Sequence, residues 1–174
     1  MTTHTKSLKL VGPVKRQQRK QNAVLFSIDQ HAMDQYLAKP HDSPAKCYEI
    51  VRDDDPPIGF IWIACHPDED ISKRLNVHVE YVFVVPAERG GKSAWLTNAV
   101  LEKLRSSLDG LDENSAPFTT VSSTSQPVTP EGIKFVRCLN EALKVFTQSN
   151  GFEFICDEAY TPDQVDQSVQ RRPG

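Results

Sequence analysis

The chain has 174 residues and a formal net charge of −3, with 39% apolar, 25% charged and 8% aromatic residues. This is the size of one ordinary domain with short tails, and the balance of a soluble globular chain, not of a disordered one. No apolar run approaches the roughly 20 residues that span a bilayer, and a pI of about 5.9 argues against a wholly basic nucleic-acid module.

The charge is unevenly spread. Residues 1–22 carry Lys6, Lys9, Lys15, Arg16, Arg19 and Lys20 and no acid, so all 23 acids lie in the rest of the chain. This leader lacks the apolar stretch and cleavage site of a secretory signal, and has few apolar positions at the helical spacing of a transit peptide. It is expected to be a solvated, flexible segment, with RNA, DNA or an acidic partner as its natural contact. Cys47, Cys65, Cys138 and Cys156 form no C-x-x-C pair and sit among apolar neighbours, which suits buried thiols in a reducing compartment and predicts no metal site. The expectation is a cytoplasmic protein with no membrane contact.

In chain order, residues 23–27 form a short apolar run, expected as a first strand, with Ser27 capping a helix over about 28–38. Three strand-like segments follow at 46–52, 58–65 and 76–85, the first two separated by the Asp53–Pro57 turn. Along 76–85, strict alternation puts Val77, Val79, Tyr81, Phe83 and Val85 on one face and His78, Glu80, Val82 and Val84 on the other. Residues 93–108 carry Leu96, Val100, Leu104 and Leu108 at helical spacing, with Gly110 as a stop. A strand over 118–122, a helix from Thr129 to about 149 and a strand over 152–156 complete the core, which is placed at 23–160 with a polar tail at 161–174. The order β–α–β–β–β–α–β–α–β predicts an α/β protein whose mixed sheet is antiparallel first and parallel later.

The stretch with chemical content is Val84-Val85-Pro86-Ala87-Glu88-Arg89-Gly90-Gly91-Lys92-Ser93-Ala94-Trp95-Leu96. A strand ends, a glycine-containing turn follows and a helix starts. The unpaired N–H groups of a first helical turn make an anion site, which Arg89 and Lys92 reinforce. Gly91-Lys92-Ser93 matches the end of a phosphate-binding P-loop, but the leading glycine of that motif falls on Pro86. A P-loop nucleotide-binding protein is therefore the remote alternative.

The stretch more closely resembles the acyl-CoA segment of the GNAT N-acetyltransferase superfamily, a strand ending in Val-x-Pro followed by [RQ]-x-x-G-x-[GA] and a helix. Arg89 takes the first motif place and Ala94 the last; Lys92 replaces the middle glycine, and Gly91 comes one residue early. Gly59 and the Asn140–Phe152 helix-and-strand ending also resemble the family.

The resemblance implies a sheet splayed between the 76–85 and 118–122 strands and flanked by helices, with acetyl-CoA or another acyl-CoA in the gap. Val84 and Val85 would offer main-chain bonds to the pantetheine arm, and the segment Arg89, Gly90, Gly91, Lys92, Ser93 and Ala94 would hold the pyrophosphate. Glu80 is the expected base for an amine acceptor, a small molecule or a peptide, with His78 second. The family's proton-donating tyrosine is replaced by Thr147, leaving Tyr81 and Tyr160 as substitutes. A non-catalytic binding protein of the same fold is the alternative from another class, and a homodimer is left open.

Overall fold

A computed structural model describes residues 7–38, 43–53, 55–109, 118–125 and 129–156. The chain runs β1 (Leu8–Val11), α1 (Arg16–Asn22), a 3-10 turn (Ala23–Phe26), α2 (Gln30–Leu37), β2 (Lys46–Arg52), β3 (Gly59–Pro67) and β4 (Arg74–Val84). A second 3-10 turn (Pro86–Glu88) leads to α3 (Ser93–Asp109), β5 (Thr120–Ser123), α4 (Pro130–Ser149) and β6 (Glu153–Cys156).

One six-stranded sheet holds these strands in sequence order. β1 to β4 pair antiparallel, while β4–β5 and β5–β6 pair parallel. Parallel neighbours need a crossover, and α3 and α4 supply the two. The apolar stripes of both helices (Leu96, Val100 and Leu104; Leu139, Leu143 and Phe146) meet Ile61, Ile63, Leu75, Val77 and Val121 on one face of the sheet. The other face packs Phe26 and Tyr36 against Phe60, Trp62 and Phe83. The Phe60 ring centroid lies 4.9 Å from Tyr36, 5.2 Å from Phe26 and 5.6 Å from Tyr81. The sheet is thus the expected mixed, mostly antiparallel one, and its first half excludes the parallel core a P-loop protein requires.

The leader is where the structure departs from expectation. Its residues 8–22 are part of the domain. Leu8 and Leu10 pack on the helix-covered face, and the strand pairs with β2 in the register Leu8↔Arg52 to Val11↔Glu49. The reason α1 docks is Arg19, which is only 5% exposed. Its Nη1 donates to the carbonyls of Tyr36 at 2.7 Å and Ala38 at 2.6 Å, and its guanidinium lies 4.8 Å from the Trp62 ring centroid. Glu49, also buried, accepts from the Tyr36 hydroxyl and from Asn22 Nδ2. A basic, acid-free segment therefore reads as solvated although one of its bases is an internal clamp. The expected strand over 23–27 is the 3-10 turn instead, because Phe26 inserts into the aromatic cluster. The α2 cap is Asp29, not Ser27: its carboxylate accepts from Ala32 N–H at 3.0 Å, whereas the Ser27 hydroxyl donates back to Val24 O. Residues 1–6, 161–174 and Tyr160 lie outside the described residues.

The alternation along β4 also breaks. Trp62 pairs with Tyr81 and Ile63 with Val79, so one step on β3 spans two on β4. Glu80 is the extra residue of a β-bulge, which re-aims every side chain beyond it. Leu75, Val77 and Val79 face α3 and α4 before the bulge; after it Val82 and Val84 do, while Tyr81 and Phe83 turn to the aromatic face. The single face expected for Val77, Val79, Tyr81, Phe83 and Val85 does not exist.

Candidate functional site

The sheet forks beside this bulge. The β4–β5 register runs from Arg74↔Thr120 to Val77↔Ser123 and stops. Two hydroxyls close the fork: Ser125 Oγ accepts from Val79 N–H at 2.8 Å, and Ser123 Oγ donates to Asn140 Oδ1 on α4 at 2.7 Å. His78 Nδ1 lies 3.0 Å from Thr124 Oγ1, also at the fork. Beyond it, β4 keeps its β3 partner on one side and, among the described residues, has no strand on the other. Val85 N–H donates to Ile58 O at 2.9 Å, on the β3 side. Successive residues of a strand direct their main-chain groups to opposite sides, so Val82 and Val84 present theirs to the gap and Val85 does not. The main-chain groups of Val85, expected at the gap, therefore point to β3, and those of Val82 point to the gap.

After Val84 the chain makes the Pro86–Glu88 turn, which Arg52 anchors with Nη2 2.5 Å from Glu88 Oε2. Gly90 and Gly91 then take φ of +103° and +63°, values that favour glycine. The helix begins as Leu96 N–H donates to Lys92 O at 2.9 Å. Lysine has no acceptor with which to cap the first turn. Its ammonium turns back to the Glu88 carbonyl. At α4, by contrast, Thr129 Oγ1 accepts from Gly132 N–H at 3.0 Å. The α3 N-terminus thus faces the gap, and among the described residues no side chain accepts from the N–H groups of its first turn, which makes it a ready anion site.

These parts enclose a cleft of about 440 Å³, within the range of ligand pockets. Its walls are Tyr81 to Val84 of β4, Arg89 to Lys92, Ser93 and Leu96 of α3, the start of α4 from Thr129 to Phe135, and Asp29 and His31. Of the residues expected at the site, Val84, Arg89, Gly90, Gly91, Lys92 and Ser93 line it, and Val85, Ala94 and Glu80 do not. Glu80 is exposed in the bulge and accepts from the Ser43 hydroxyl. The sequence names Tyr81 as a substitute proton donor but places it on a face with Val77 and Val79, away from Glu80, and it does not point to Asp29, His31 or the α4 residues. No sequence motif marks these as walls; the Glu80 bulge brings in Tyr81, the docking of α2 brings in Asp29 and His31, and the packing of α4 beside α3 brings in its first turn.

Tyr81 lies against Phe60 at an interplanar angle of 13° and has His31 at its edge, 5.7 Å between centroids. Burial raises its phenol pKa and the nearby Asp29 charge adds to this, while Arg89 opposes. The phenol therefore stays protonated through neutral pH. Thr147 offers nothing comparable, since it is buried and its hydroxyl donates to Lys144 O within α4. Burial also pushes the Cys47 thiol up to about 12 and the Cys65 thiol to about 11, and neither lines the cleft, which excludes both as nucleophiles there. Among the described residues no group of three or more His, Cys, Asp and Glu could hold a metal ion, and no helix is long and apolar enough to cross a membrane.

No protein family and no curated protein matches the sequence. Among solved structures, the chain is similar to a ribosomal-protein-alanine N-acetyltransferase from Brucella melitensis biovar Abortus 2308. The identity is 16% with a TM-score of 0.47, over 75% of this chain and 87% of that one. It is also similar to a possible acetyltransferase from Clostridium difficile 630, at 14% identity and a TM-score of 0.38, over 89% of this chain and 94% of that one. The splayed sheet that the GNAT resemblance implies is present in this chain's own hydrogen-bond register.

Proposed function

We propose that the protein transfers an acyl group, acetyl in the first instance, from an acyl-CoA to an amine. The observation that carries this reading is one cleft combining a β4 edge and a helix N-terminus, both left open among the described residues, with two cations beside them. A pantetheine arm is a chain of amides, and the main-chain groups of Val82 and Val84 suit it as a missing strand would. A pyrophosphate suits the first turn of α3, with Arg89 and Lys92 at its mouth.

The chemistry is a direct displacement. The ammonium of the acceptor loses a proton to Glu80 through water, since the carboxylate is next to the cleft wall and not in it. The neutral nitrogen attacks the thioester carbon, and a β4 amide on the open edge, Val82 or Val84, stabilises the oxyanion. The C–N bond forms, the nitrogen releases its second proton to water, the C–S bond breaks, and the sulfur takes a proton from the Tyr81 phenol, which regains one from solvent.

Calorimetric titration with acetyl-CoA and, separately, with ATP and magnesium tests the reading. Acetyl-CoA is expected to bind with a micromolar Kd and ATP at least tenfold more weakly; no acetyl-CoA binding at millimolar concentration defeats the proposal. Binding without transfer to any amine, peptides included, would favour the non-catalytic alternative. In an active assay, Glu80→Gln is expected to lower kcat about 100-fold at neutral pH, and unchanged turnover would remove Glu80 from the mechanism.

A further inference from the structure

The open edge of β4 is not vacant. Arg89 Nε donates to the Val84 carbonyl at 2.9 Å, and the guanidinium carbon lies 5.6 Å from the Phe83 ring centroid. Arg89 makes no ion pair among the described residues. It takes as its partner the main-chain acceptor that any chain of amides laid along β4 must use. Its backbone is held, because Glu88 is clamped by Arg52 and Arg89 N–H donates to Pro86 O at 3.3 Å. Its side chain is exposed and rests on one face of one ring. Displacing it therefore needs a change of rotamers and no movement of the loop.

We infer that Arg89 determines donor specificity by competing for the edge, and that it selects thioester carriers bearing phosphate over carriers that lack it. The inference rests on the acyl-CoA reading of the cleft. A carrier without phosphate must displace the guanidinium from Val84 O and leaves the charge with no new partner. A carrier with a pyrophosphate near α3 gives the guanidinium a charge-assisted, two-pronged partner a short rotation away. Discrimination arises as much from the penalty placed on the wrong ligand as from attraction to the right one. Arg89 thus has two opposed effects on one bound molecule: it hinders the pantetheine end and favours the phosphate end.

The opposition gives the test a reversal of sign. CoA and pantetheine, which lacks the nucleotide and its phosphates, are titrated into the wild type, Arg89→Ala and Arg89→Gln by NMR shift mapping, with melting curves confirming the fold. Arg89→Ala is expected to weaken CoA about tenfold and to tighten pantetheine several-fold, on the order of 3–10. Arg89→Gln keeps a donor but no charge, and is expected to weaken CoA as much with less gain for pantetheine. If both ligands weaken, or pantetheine is unchanged or too weak to detect in every protein, Arg89 is an ordinary ligand contact and the inference fails. If the wild type binds no CoA at all, the acyl-CoA reading itself falls, which is a separate result.

Discussion

Gly59→Ala is expected to destabilise the protein by about 3 kcal/mol, lowering Tm by about 6–12 °C. A Cβ at Gly59 would lie 2.2 Å from the Phe83 carbonyl oxygen and 3.0 Å from Val84 Cα. Both neighbours are backbone, so no side chain can yield. Relief requires β3 and β4 to part at the Gly59↔Val84 pair. That pair also positions the open edge, and ligand affinity should fall with stability. Gly151→Ala is the comparison: φ is +75° and an added Cβ meets nothing, so backbone strain of about 1 kcal/mol acts alone. Thermal melts of the two variants check this; equal losses would show that crowding at the β3–β4 junction is not what limits position 59.

Most of the sheet was legible because its signals are local. Runs at 46–52 and 58–65, and helices with apolar residues every three or four positions, each sit within one window of sequence, and α3 and α4 appear where that periodicity predicts. The strand–turn–helix loop was legible for the same reason. What was hidden depends on partners far along the chain. Arg19 looks like any surface base until Tyr36, Ala38 and Trp62 surround it. Leu8 and Leu10 make a convincing strand only beside β2.

The bulge had the largest functional consequence. Strict alternation puts Glu80 on a face with His78 and Val84, and Tyr81 on a core face with Val77. One inserted residue, invisible without the β3 register, leaves Glu80 exposed and turns Tyr81 into a wall of the cleft. Bulges cluster where a strand must re-aim a side chain, and this one stands beside the fork, where β4 loses its second neighbour. The acid carried by the motif reading and the phenol carried by the geometry are thus adjacent residues with exchanged surroundings.

Tyr81→Phe is expected to lower kcat about 100-fold, the lower end of what a positioned proton donor supplies, with the KM for acetyl-CoA changed less than about twofold. The ring keeps its packing on Phe60 and only the hydroxyl is lost, so the fold is unaffected. The sign of the pH dependence follows from the raised phenol pKa. Donation fails only as pH rises through that pKa, above the usual value of about 10, so this group brings no alkaline decline at lower pH. A readout independent of turnover exists as well. A phenol that donates to sulfur favours the thiolate, so the thiol of bound CoA should titrate at lower pH in the wild type than in Tyr81→Phe, by about one unit. Ultraviolet absorbance of the thiolate measures both. Equal thiol pKa values in the two proteins, with CoA bound to each, would show that Tyr81 shapes the cleft without serving as its acid.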